Sequence, residues 1–189
     1  MTHCVMPKKI ILIIFVATIF ITTGLGCKPK IVPIETLQKN ISKPMQLTSP
    51  SFKNGEYLPL TYSCDGKGTN PTLKIADVPT GTKDLVLIVD DPDAPSGDFV
   101  HWTLWNIDPA ATEITENTIP NGATVGLTSA GNNRYVPPCP PTGIHHYTFK
   151  LYALDIKMDL PPITPKDQLL QKMNDHIITQ TELVALYSR

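Results

Sequence analysis

The sequence predicts a mainly β, sandwich-like domain with one late helix. Three observations carry this. Prolines number 19 against 11 glycines in 189 residues, a balance that favours strands and loops over a helical bundle. Leu85-Val86-Leu87-Ile88-Val89 is an unbroken apolar run between Asp84 and Asp90, as expected of a strand buried on both faces. From 147 to 154 the chain alternates instead. Tyr147, Phe149, Leu151 and Ala153 fall on one face, and Thr148, Lys150 and Tyr152 on the other. With 41% hydrophobic and 17% charged residues, the chain can bury the core of one such domain.

Residues 1–26 read as an export signal. Lys8 and Lys9 precede an apolar run over 10–21, shorter than the roughly 20 residues of a spanning helix. The run leads to Gly24-Leu25-Gly26-Cys27. A cysteine directly after a small residue resembles a bacterial lipoprotein signal, with Cys27 as the lipid-bearing first residue. Gly24 departs from the aliphatic residue usual at that place. Cleavage without lipid, or an uncleaved anchor, are the alternatives. Removal of 1–26 takes two lysines and no acid from a chain of net charge −1, which leaves −3. A basic field that would recruit nucleic acid is therefore lacking. Membrane attachment would come from lipid, and the expected location is the cell envelope of a bacterium. Residues 27–44 form the lipidated cysteine and tether, and 45–189 the domain. With Cys4 in the signal and Cys27 assigned to lipid, Cys64 and Cys139 remain as an even pair. In an oxidising compartment they form a disulfide or stay two separate thiols.

Within the domain, residues 45–48 predict a first strand and 57–62 a second extended segment, closed by the turn Cys64-Asp65-Gly66. A loop over 78–82 precedes the buried strand at 84–90. Residues 100–107 predict the next strand, and 108–133 a polar excursion over the surface. After the alternating strand, Pro165 opens a helix running to about 176, with Leu169, Leu170, Met173 and Ile177 as its apolar stripe. Residues 179–187 close the domain as a strand.

Two segments concentrate the chemistry. One is Asp91-Pro92-Asp93-Ala94-Pro95 followed by His101-Trp102 and Trp105-Asn106. The other is Pro138-Cys139-Pro140-Pro141-Thr142-Gly143 followed by His145, His146 and Tyr147. Period-two geometry points His145 and Tyr147 the same way, and puts His101, Thr103 and Trp105 on a common face. Pro92 and Pro95 stiffen a loop that can hold a carboxylate. Asp91 can orient a histidine, His101 and His145 supply N–H donors, and Tyr147 a hydroxyl. Each has a plainer reading. Asp91 and Asp93 can simply cap a turn, His101 can be a core histidine, and Trp102 and Trp105 packing residues.

Together the segments closely resemble the phosphatidylethanolamine-binding protein family, in its bacterial and archaeal Raf-kinase-inhibitor-like branch. The resemblance runs from about Leu47 to Ser188 and also takes in Asn70-Pro71, 78–83 and Tyr152-Ala153-Leu154-Asp155. It implies antiparallel sheets packed together, a peripheral C-terminal helix and an anion pocket at strand ends. It implies Asp91, His101, Pro140, His145 and Tyr147 as pocket residues, and pairing of Cys64 with Cys139. Three positions depart from the family pattern. Pro137 stands for a common Gly, which removes a backbone N–H. His146 stands for a common Arg, and Lys74-Ile75 lies near a common Trp.

The expected function is a non-catalytic envelope protein that binds a small anion or phosphorylated head group, with no cofactor and no metal. One alternative is an inhibitor or interaction protein acting on a protease or kinase-like partner. Another is a metal-assisted hydrolase using Asp91, His101 and His145. The chain carries no Gly-x-Ser-x-Gly elbow, no His-Glu-x-x-His and no phosphate-cradling glycine loop, which places an enzyme last.

Overall fold

Two β-sheets and one helix stack in three layers in the computed structural model, which describes residues 43–189. The signal segment, Cys27 and nearly all of the tether lie outside the described residues. The smaller sheet has three strands in the order β1 (Gln46–Thr48), β3 (Leu73–Ala76), β6 (Glu113–Ile114). The larger has six, in the order β2 (Glu56–Tyr57), β9 (Ile177–Ser188), β8 (Ile144–Leu154), β4 (Asp84–Asp91), β5 (Phe99–Ile107), β7 (Thr124–Val125). The helix α1 (Lys166–Met173) covers the outer face of the larger sheet.

The apolar run of β4 is explained by this layering. Every residue of the strand is buried. Leu85, Leu87 and Val89 pack between the sheets with Leu47, Leu73, Phe149 and Leu151. Val86 and Ile88 face the other way, against Trp105, Met158, Leu169 and Met173. A strand with a core on each side needs apolar residues at consecutive positions. Each such side chain contributes about 1.5–3 kcal/mol by leaving water. β8 has one face in the inter-sheet core, through Tyr147, Phe149, Leu151 and Ala153, as its alternation predicts.

The structure departs from the sequence expectations in four places. The segment expected to be extended over 57–62 is a two-residue strand followed by a 3-10 turn at Leu60–Tyr62, closed by Tyr62 N–H donating to the Pro59 carbonyl at 3.0 Å. β2 runs parallel to β9, with Glu56 opposite Ala185, so the larger sheet is mixed rather than wholly antiparallel. The helix ends at Met173, short of 176. Asp175 adopts a φ of 64° there, and Ile177 joins β9, 41% exposed, instead of extending the helical stripe. Finally, β3, β6 and β7 are strands that the sequence did not single out. Two of them have only two residues, too short for a period to register.

Asp84 is a buried carboxyl at the start of β4. Its Oδ2 accepts the Met158 N–H at 2.9 Å, and its Oδ1 has no partner among the described residues. Burial pushes its pKa up from 3.8 to about 6, against hydrogen bonds from Met158 and other backbone groups that lower it. A folded-state value above the unfolded one means the folded chain holds the proton more tightly. Stability from this site is then present below about pH 4 and is lost as pH rises through about 6. Asp84→Asn keeps an acceptor for Met158 and cannot ionise. It is expected to gain about 2 kcal/mol at neutral pH, short of the ~3 that the full shift represents, because its amide would lack a partner. Urea unfolding at about pH 7 and about pH 4 checks this. The gain should shrink at the lower pH.

Candidate anion pocket

Antiparallel pairing gathers three strand ends at one end of the larger sheet. Asp91, the last residue of β4, lies opposite Phe99, the first of β5. Asp90 lies opposite Thr148 near the start of β8. There Asp91, His101, Pro140, His145 and Tyr147, the five residues expected from the sequence, line one cavity of about 190 Å³. Phe99, Val136 and Pro137 contribute to its wall. Its size suits a small anion or a head group rather than a drug-sized ligand.

Asp91 fills both roles weighed for it. Oδ1 accepts the Asp93 backbone N–H at 2.9 Å, which caps the turn, and Oδ2 accepts His145 Nδ1–H at 2.7 Å. The carboxylate and the imidazole are both buried. This bond fixes the His145 ring and leaves Nε2 as its remaining polar atom.

His101 is held by a different device. Between Val89 and Asp90 the β4–β5 register shifts, with Val89 opposite Trp102 and Asp90 opposite Val100. His101 is the extra residue of a β-bulge, and bulges re-aim side chains. The expected common face of His101, Thr103 and Trp105 is therefore not kept. Trp105 packs in the helix-side core, whereas His101 meets Tyr147 edge-on at 5.1 Å between ring centroids. Val136 N–H donates to the His101 carbonyl at 2.9 Å, and His101 Nδ1–H donates to the Val136 carbonyl at 2.7 Å. A carbonyl only accepts, so the proton resides on Nδ1 and Nε2 is left over. Burial lowers the His101 pKa from 6.5, against the Val136 bond and the nearby Asp91, which raise it. The ring is thus neutral at neutral pH.

Tyr147 completes the set. Its ring lies 6.4 Å from that of His145 at an interplanar angle of 21°. Its hydroxyl is buried beside the Asp91 carboxylate, but no contact there meets hydrogen-bond geometry, so it has no well-formed partner among the described residues. Burial, and next the Asp91 carboxylate, push its pKa up, so it stays an O–H donor. An orphaned buried hydroxyl costs about 1–3 kcal/mol, so a ligand atom that paired with it would recover part of that cost.

His146 points away, as alternation predicts. It is exposed, and Asp93 Oδ2 accepts both its Nδ1–H at 2.7 Å and its backbone N–H at 2.8 Å. These bonds hold Asp93 below the usual carboxylate range. They tie the 91–95 loop to the start of β8. Cys64 and Cys139 form the disulfide, with a Cα separation of 5.4 Å across 75 residues of sequence, within the usual span of such bridges. Trp102 and Trp105 are fully buried packing residues.

The family model for phosphatidylethanolamine-binding proteins matches residues 48–188. The chain belongs to the phosphatidylethanolamine-binding protein family. Its PEBP domain is 42% identical to a UPF0098 protein of Chlamydia trachomatis over 150 residues, 77% of this chain and 99% of that one. It is 45% identical to a UPF0098 protein of Pyrococcus horikoshii over 151 residues, 75% of each. A crystal structure of a PEBP homologue from Chlamydia trachomatis superposes with a TM-score of 0.75 at 42% identity, covering 78% of this chain and 99% of that one. E. coli YbcL, described as a member of the mammalian PEBP family, gives 0.73 at 31% identity, with 78% and 99% covered. Both solved chains consist almost wholly of this PEBP domain.

Several residues that shape the pocket were not read from the sequence. Val136 acts through its backbone, which leaves no side-chain signature. Phe99 packs on His101 at 4.8 Å and lies one residue before the strand expected over 100–107. Asp90, one position before Asp91, binds Thr148, Lys150 and Lys166 on the opposite face of the sheet. Only the contrast of two adjacent acids in a buried strand hinted at it. Among the described residues no group of three His, Cys, Asp or Glu side chains is arranged to hold a metal ion.

Proposed function

We propose that this protein is a non-catalytic binding protein of the cell envelope whose small pocket takes an anion or a phosphorylated head group. The buried, unpartnered Tyr147 hydroxyl beside two imidazoles carries this reading. In both rings Nδ1 is committed to a protein acceptor, so only Nε2 remains for a ligand. A proton on Nε2 turns either ring into a charge-assisted donor for an anion. Pro137, Pro140 and Pro141 add apolar wall to the cavity without offering N–H groups of their own.

The same inventory argues against a nucleophilic enzyme. The sulfur of Cys139 is held in the disulfide, and Ser96 lines the cavity without a hydrogen bond to either imidazole. Covalent catalysis needs a nucleophile in reach of its base. Attachment to the membrane would come from a lipid on Cys27, since the signal pattern around 8–27 is the feature that points to the envelope.

Tyr147→Phe tests the proposal. The substitution removes a hydroxyl that has no well-formed partner among the described residues, so stability should hold or rise by up to about 1 kcal/mol. Affinity for phosphorylethanolamine should fall about three- to tenfold, as expected for one lost hydrogen bond. Calorimetry for binding and thermal unfolding for stability separate the two effects. Equal affinity in the variant and the wild type would remove Tyr147 from the pocket's chemistry.

A further inference from the structure

A second and larger concavity lies beyond the wall formed by Val136 and Pro137, which line both spaces. This groove measures about 660 Å³. It is enclosed by three loops, 64–70, 117–119 and 130–137, with Trp102 of β5 as its sole strand residue. Lys67 and Arg134 stand on it, and neither makes an ion pair among the described residues. None of the lining residues is an acid. Asn117 and Asn132 supply side-chain amides and Thr69 a hydroxyl, whereas Asn70 Nδ2 and the Thr118 hydroxyl already donate to the backbone carbonyls of Pro71 and Thr115. Two of the polar groups on the groove's lining residues, Trp102 Nε1 and Thr69 Oγ1, are buried without a partner.

We propose that this groove is a second binding site, for a polyhydroxylated anion of the sugar-phosphate type. Amides and hydroxyls both donate and accept, as sugar hydroxyls do. The two cations, with no carboxylate among the lining residues, favour negative charge. Strand addition by an extended peptide would need an open sheet edge, and loops line this groove instead. The site does not rest on the anion pocket, because none of Asp91, His101, His145 and Tyr147 lines it.

The two tryptophans of the chain make the test direct. Trp102 lines the groove, and Trp105 is packed under the helix. In a ¹H–¹⁵N spectrum of the PEBP domain, residues 43–189, titration with glucose 6-phosphate should move the Trp102 indole signal saturably and leave that of Trp105 in place. Lys67→Gln combined with Arg134→Gln changes only exposed side chains and should weaken the response at least about tenfold. His145→Ala should leave it within about twofold. The proposal is overturned if Trp102 does not respond, if glucose alone binds equally well, or if the double variant binds like wild type. Loss of the response in His145→Ala would also overturn it, because the ligand would then occupy the smaller pocket.

Discussion

Asp90→Ala should destabilise the PEBP domain by about 3 kcal/mol, a fall in Tm of roughly 10 °C for a domain of this size. Asp90 is fully buried in the centre of the larger sheet. Its carboxylate accepts from Thr148, from Lys150 at 2.9 and 3.0 Å, and from Lys166, which also binds Asp98. Lys166 is the first residue of α1, a place where the helix dipole disfavours a cation. Its ion pairs with Asp90 and Asp98 offset that. Removing Asp90 strands Lys150 and leaves Lys166 with Asp98 alone, on side chains only 30% and 17% exposed, and loosens the helix from β4. The pH dependence gives an independent check. Burial by itself would raise the Asp90 pKa, but Lys166, Thr148 and Lys150 hold it below 3.8. A lowered folded-state value contributes stability that is present above the unfolded pKa and is lost as pH falls through the folded one. Wild type and variant should therefore differ most near neutrality and converge in strong acid. A constant difference at all pH values would mean that packing, not the ion network, accounts for the loss.

Removal of the disulfide is the second large effect. Closing a loop of 75 residues restricts the unfolded chain by about 4 kcal/mol in the chain-entropy treatment. The bridge also acts locally. Cys64 N–H donates to the Pro138 carbonyl at 3.0 Å, and Cys139 and Pro140 line the anion pocket. The Cys64-Asp65-Gly66 turn is held from the other side by Tyr187 and Arg189, both bonded to Asp65. Gly66 cannot be enlarged there, because a Cβ would lie 2.1 Å from the Leu60 carbonyl oxygen. The double variant Cys64→Ser, Cys139→Ser should thus lose about 3–4 kcal/mol in denaturant unfolding. Its affinity for phosphorylethanolamine should also fall, as the Pro140 wall becomes free to move. Unfolding midpoints that match between variant and wild type would show that the turn contacts suffice without the bridge.

The parts of this molecule that were legible in the sequence are those set by local periodicity. The double-sided run of β4 and the alternation of β8 needed no partner information, and each placed its side chains correctly. The five pocket residues were legible only together, because the motif order carried what no single Asp-Pro-Asp or His could. What escaped depends on register. The bulge at His101 is a relation between two strands, so a period-two count carried His101 to the wrong face. The two-residue strands β6 and β7 exist through pairing with β3 and β5, not through their own composition. The groove beside Trp102 is assembled from three loops distant in sequence, and charges there are read as a solvated surface until the loops meet. Helix α1 was extended too far because Ile177 fits its stripe, whereas the left-handed residue Asp175 turns the chain into β9 first.

The central claim is that Asp91, His101, His145 and Tyr147 form one working anion site. The most direct test is a titration of residues 43–189 with sulfate, whose charge is constant over the range, following the imidazole ¹⁵N signals from about pH 8 to about pH 5.5. Saturable shifts are expected at Nε2 of His101 and His145 and none at His146 and His176, and affinity should fall as pH rises, because a proton is taken up with the anion on Nε2 of His101, whose pKa burial lowers. His145→Ala should abolish the effect at His101. Shifts spread equally over all four histidines, or no saturation at any of them, would contradict it.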